Sequence, residues 1–184
     1  MIGCYDFCGH YEWTFEWLRK EGGPALVKAF WDEAIHRDSQ THAAKSIAEK
    51  GIEGMQEYWA VTLEDEGGTH HCTATPDVFR IDMHECPSKG FLVRNGLEQY
   101  QDYCDHCMGW IGPLMKQAGF VVDHAHNHCG QCWWEMRKES SGTKVGSIGE
   151  LSGQHDVRLR EDWTSTHTDH YERATDPDDK KSLP

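Results

Sequence analysis

The sequence predicts an α+β fold, with N-terminal helices and a small antiparallel sheet carrying helices on one face, followed by an extended polar C-terminal tail. Three observations carry this. Apolar residues recur at three- and four-residue spacing through residues 11–63, then alternate every second residue from about Thr69. Gly and Pro clusters (Gly22-Gly23-Pro24, Gly67-Gly68, Pro76-Asp77) punctuate the chain where the pattern changes. The order helices, strands, helices, strands is that of α+β domains, not of repeated βα units.

Taken in order, residues 11–20 hold Trp13, Phe15 and Trp17 and stop at Glu21-Gly22-Gly23-Pro24. Pro24 suits the first turn of a second helix, whose Leu26, Val27, Phe30, Trp31, Ala34 and Ile35 form one stripe. Ser39 is placed to cap a third helix with Ala43, Ala44, Ile47 and Ala48. Gly51 and Gly54 weaken its continuation through Met55, Tyr58, Trp59 and Leu63. Residues 69–75 and 78–85 read as strands. In the second, Val78, Arg80, Asp82 and His84 alternate with Phe79, Ile81, Met83 and Glu85, as in a half-buried strand. A helix is expected near 87–95. A longer one is expected over 97–118, with Tyr100, Cys104, Cys107, Ile111 and Leu114 on one face, a kink at Pro113 and an end at Gly119. Residues 120–122 begin a strand, and a turn at 129–132 leads into a last strand through Trp133, Trp134, Glu135 and Met136. Residues 1–138 are thus expected to form a single Cys/His-rich domain. Residues 139–184, rich in Ser, Thr, Gly, Asp and Lys, form a polar extension expected to lie along a neighbouring subunit of a homo-oligomer or across its own domain.

Composition narrows the function. With 31 acidic residues against 18 basic ones the formal charge is −13, so there is no net positive field to release counterions, and nucleic acid is not an expected partner. No run approaches the ~18 apolar residues that a membrane span needs, and the first residues lack a basic, then apolar, leader pattern. The expected setting is a reducing cytoplasm, where eight clustered cysteines read as metal ligands or reactive thiols more readily than as disulfides. No phosphate-binding Gly loop, Gly-x-Ser-x-Gly elbow or His-Glu-x-x-His helix occurs.

The strongest local signal is a pair of Cys-x-x-Cys units, Cys104–Cys107 and Cys129–Cys132, at a spacing near that of zinc sites. On a helix, residues three apart share a face, so both thiolates of the first unit can reach one ion. Four thiolates would hold zinc or an iron–sulfur cluster; small core thiols on an apolar face are the plainer alternative. His124, His126 and His128 alternate, so a strand would project all three imidazoles from one face, where they are either further metal ligands or an exposed polar surface. Cys86, two residues after His84, is the candidate nucleophile or open-site ligand. A histidine beside a cysteine lowers the thiol pKa and raises the thiolate fraction. His84 or His128 would move protons, and Asp105 would orient an imidazole or a water.

Phe79-Arg80-Ile81, Cys86-Pro87, Tyr103-Cys104-Asp105, Gly119-Phe120 and His128-Cys129 followed by Trp133-Trp134 resemble the L-2-amino-thiazoline-4-carboxylic acid hydrolase-like family over about residues 79–135. The resemblance implies a compact α+β domain whose cysteines converge from three segments, with Cys86, Cys104, Asp105 and Cys129 or Cys132 as the site. It also implies a reaction that opens a cyclic C–N bond in a small amino-acid-like heterocycle. Cys107, the second cysteine of the 129–132 turn and the three histidines lie beyond that pattern, and they add metal ligands to it. The expected function is therefore a metal- or thiol-dependent hydrolase acting on a small molecule such as a cyclic amide or amidine. A non-catalytic zinc-binding module and an iron–sulfur redox protein are the alternatives.

Overall fold

A computed structural model describes residues 4–36, 41–98, 100–163, 170–173 and 176–182; Ser39 lies outside them. Helix α1 (Cys4–Phe30) contains both of the first two expected helices. They join at Gly23, whose φ of 73° and ψ of −174° make a kink that a side-chain-bearing residue resists, and Pro24 opens the next turn. A π-helical turn (Trp31–His36) extends α1. Helices α2 (Thr41–Lys50) and α3 (Ile52–Asp65) pack on each other across Gly51, at φ 62°. Gly54 does not interrupt α3. A Cβ there would lie 2.4 Å from the carbonyl oxygen of Ser46, so the glycine lets the two helices approach.

Strands β1 (Thr69–Ala74), β2 (Val78–Glu85), β3 (Phe120–His126), β4 (Cys132–Lys138), β5 (His170–Arg173) and β6 (Asp176–Ser182) form one antiparallel sheet in the order β1-β2-β4-β3-β5-β6. Helices α4 (Lys89–Arg94) and α5 (His106–Gln117) connect β2 to β3. Phe79, Ile81, Met83, Val122, Trp134 and Met136 of the sheet bury themselves against Ile47, Met55, Trp59, Ile111 and Met115 of the helices, which is the main core. A second core, Phe15, Val27, Trp31, Leu92, Tyr100 and Tyr103, joins α1 to the segment after α4. No described helix is long and apolar enough to cross a membrane.

The structure corrects the sequence expectation in two places. The helix expected over 97–118 begins only at His106, preceded by a single 3-10 turn (Tyr103–Asp105). The Tyr100 N–H donates to the buried carboxylate of Glu12 on α1, which ties the segment before α5 to the first helix. Cys104 and Cys107 therefore come from the 3-10 turn and the first turn of α5, not from one helix face.

The second correction concerns the polar face of β2, which is buried like the other. Residues 145–163 fold back across it. Val157 and Trp163 join Ala125 and Trp133 in a third small core, so part of the polar extension lies across its own domain. Beneath it, Arg80 bonds Asp82 at 2.7 and 2.9 Å, Glu135 at 3.1 Å and Asp156 at 3.2 Å, all at side-chain exposures of 1% or less. Arg137 adds bonds to Glu135 and Asp123. Backbone N–H groups of Gly146, Gly149 and Val157 cap Glu135, Asp156 and Asp82. Arg80 and Arg158 each lie 5.0 Å from the centre of the Trp133 ring.

Candidate metal centre

On the helix-facing side of β3 and β4, three of the residues singled out in the sequence meet. One ligand atom each from Cys104, His126 and His128 lie within 4.8 Å of one another, which is a group that can hold a metal ion. They come from three different local structures. Cys104 stands on the 3-10 turn, His126 ends β3, and His128 sits in the turn between β3 and β4. His128 has φ 58°, the one left-handed non-glycine residue described, so it reaches the group as a turn residue and not through strand alternation. The His126 and His128 rings lie 4.2 Å apart, edge to face, and are 1% and 4% exposed. Asp105 Oδ1 lies 3.1 Å from His126 Nε2, within ion-pair distance of the imidazole.

His124 shares the strand face but not the group. Its Nδ1–H donates to the Trp133 carbonyl at 2.8 Å, its ring stacks on Trp134 at 3.5 Å, and its Nε2 is buried without a hydrogen-bond partner. Burial, then the neighbouring His126, pushes its pKa well below the ordinary histidine value, so the ring stays neutral.

The cysteines converge from several segments. Burial holds the Cys104 thiol well above its ordinary pKa. The adjacent Cys107, Cys86 and Cys132 thiols add to that rise, and Lys89 opposes it. The Cys132 thiol is raised in the same way, by burial and then by Cys86 and Cys107. Neither sulfur of the second Cys-x-x-Cys unit belongs to the group: Cys132 packs against the main core, and the Cys129 N–H donates to the Asn127 side-chain oxygen. The donors that meet are thus one thiol with two imidazoles; the four thiols expected as one ligand set do not meet among the described residues. No disulfide joins the described cysteines.

Cys86 follows β2 directly. Burial raises its pKa, against the backbone N–H groups of Lys89, Ser88 and Gly90, which donate to the sulfur. His84, expected beside it as a proton carrier, lies with Arg80 and Asp82 on the opposite sheet face, and its Nε2 donates to the His155 carbonyl at 3.0 Å. Alternation would place residues 84 and 86 on one face, but β2 ends at Glu85 and Cys86 already belongs to the turn into α4, so the alternation does not reach it.

Two buried polar residues of this region were not singled out from sequence. Lys89 is 1% exposed, pairs with Glu98 at 2.8 Å and lies 5.7 Å from the Tyr103 ring centre; nothing in Cys-Pro-Ser-Lys-Gly marks it. Asn127, 1% exposed, organises the turn that carries His128. The Asn127-His128-Cys129-Gly130 run does carry a turn signal, since Asn bonds its own backbone two residues on. Comparison with known protein families, with curated proteins and with solved structures found no match.

Proposed function

We propose that the chain is a zinc-dependent hydrolase acting on a C–N bond of a small molecule, with Cys104, His126 and His128 as the protein ligands. The observation that carries this reading is the convergence of one thiol and two imidazoles within 4.8 Å, with Asp105 at 3.1 Å from His126. Thiol and imidazole together suit zinc, and one thiol with two imidazoles falls short of the four cysteine, or two cysteine and two histidine, ligands of an iron–sulfur cluster. Three protein ligands leave a position open, at which bound zinc would supply an acidified water of pKa ~7. Around it, Asp105 lies within ion-pair distance of His126. The Cys86 thiol, among the neighbours of Cys104, is held protonated by burial and would serve as a proton donor, not as the thiolate nucleophile expected beside His84, and the buried Lys89 supplies the positive charge that an anionic substrate group needs. The family resemblance of residues 79–135 supports the same choice of bond, a cyclic amide or amidine.

The burial of both histidines favours a second reading, a structural zinc site with a closed shell. The two separate in one experiment. Protein made with zinc is analysed for metal and assayed on cyclic amides and amidines, alongside Cys104→Ser, His126→Gln, His128→Asn and Cys86→Ser. One zinc per chain, lost in the first three variants, with turnover that chelation removes and zinc restores, is the expected result. Zinc retained by all three ligand variants sinks the metal centre. Zinc that is needed for folding, without turnover, hands the site to the structural reading. Unchanged turnover in Cys86→Ser removes that thiol from the mechanism.

A further inference from the structure

We infer that residues 145–163 regulate the metal centre, by holding the His128 turn in the shape that completes it. The inference rests on the zinc reading above and deepens it. It starts from Asn127. Its side-chain oxygen accepts the N–H of Cys129 at 2.9 Å and of Gln131 at 3.3 Å, and these close the turn in which His128 adopts φ 58°. Its side-chain N–H2 donates to the Gln131 side chain at 2.7 Å and to the Trp163 carbonyl at 2.9 Å, 36 residues along the chain. Gln131 in turn donates to Asp162 at 3.0 Å. Two links therefore tie the turn to the end of the covering segment, and both pass through amide side chains that are 8% exposed or less.

The left-handed conformation of His128, which its side chain disfavours, is held as well by the Asn127 N–H to the Gln131 carbonyl at 3.2 Å, by the Cys86 N–H to the Gly130 carbonyl at 2.7 Å and by the seating of Gly130 on α4. A Cβ at Gly130 would meet the Gly90 Cα at 2.8 Å. Residues 145–163 add the two side-chain links to these. The segment is itself seated by Asp156 in the Arg80 network and by Trp163 beside Trp133. Release of the segment would free the Asn127 and Gln131 amides and loosen the turn, so that His128 meets Cys104 and His126 less tightly. Binding linkage is reciprocal, so zinc must tighten the segment by the same factor by which the segment tightens zinc.

The test measures zinc affinity by competition with a chromophoric chelator, together with trypsin cleavage at Lys144, Arg158 and Arg160 with and without zinc. Asn127→Ala is expected to weaken zinc binding roughly 10- to 100-fold, the usual effect of removing a group that supports a ligand. Asp162→Ala, at the exposed surface, is expected to weaken it several-fold while the metal-free protein melts as before. Zinc is expected to slow cleavage within 145–163 in the native chain and less in Asp162→Ala. If Asn127→Ala fails to fold, Asp162→Ala decides. Wild-type zinc affinity in Asp162→Ala, with no protection of the segment by zinc, overturns the inference and leaves the Cys104–His126–His128 centre standing. A native chain that binds no zinc overturns both.

Discussion

Arg80 bonds three carboxylates at once, those of Asp82, Glu135 and Asp156, at an exposure of 1%. A buried cation with that many partners contributes through what its loss leaves behind. Arg80→Met would strand those acids with only Arg137 and Arg158 to answer them, and uncompensated buried charge costs about 3–5 kcal/mol. Urea unfolding at pH 7 is expected to show that loss; a change below about 1 kcal/mol would mean the acids are relieved by protons or water. The residue pattern of β2 was legible as alternation, Arg80 and Asp82 against Phe79 and Ile81. That this polar set is buried was not, because alternation is the same whether a strand's second face meets water or a covering segment. The partner that decides it, Asp156, is 76 residues from Arg80.

At the scale of elements, glycines mark the contacts that position the site. Gly54→Ala would gain helix propensity of about 1 kcal/mol, yet its Cβ would fall 2.4 Å from a backbone oxygen of α2. Backbone cannot step aside as a side chain tip can, so the variant is expected to lose about 1–3 kcal/mol in denaturant unfolding. Gly130→Ala should cost at least as much, since it adds left-handed strain at φ 88° to a clash with Gly90. Gly96→Ala is the comparison, with strain at φ 63° and no neighbour within 4 Å. If Gly130→Ala lost no more than Gly96→Ala, the seating of the turn on α4 would be loose. The site was legible to the same partial extent. Cys104, His126 and His128 stand out by residue type. Their meeting could not be read as strand periodicity, since β3 ends at His126 and the turn alone delivers His128. The two Cys-x-x-Cys units invited a single tetrathiolate, but the spacing could not reveal that a 3-10 turn would direct only Cys104 to the histidines.

For the whole molecule, the chain's acidity and its buried charges act in opposite directions as pH falls. At pH 7 the formal charge is −13, so mild acid relieves general repulsion. Asp156 works against that relief. Burial alone would raise its pKa, but the hydrogen bond from Arg158, the N–H of Gly149 and the charge of Arg80 outweigh burial and lower it from 3.8 to about 2. A carboxylate with a depressed folded pKa lends stability that is complete above its unfolded pKa and is lost as pH falls through the folded one. The stabilisation, about 2 kcal/mol for this carboxylate, should thus disappear between roughly pH 5 and pH 1. Because Asp156 fastens residues 145–163 to the sheet, that loss belongs to the covering segment before the core. Hydrogen exchange of the amides of Gly149, Val157 and Arg158 should accelerate below about pH 4, relative to the core amides of β2 and β4 and after correction for intrinsic rates. In Asp156→Asn the segment should already exchange faster at pH 7, with a smaller further change in acid. Equal acid sensitivity in the native chain and Asp156→Asn would show that Asp156 is not the acid-labile carboxylate.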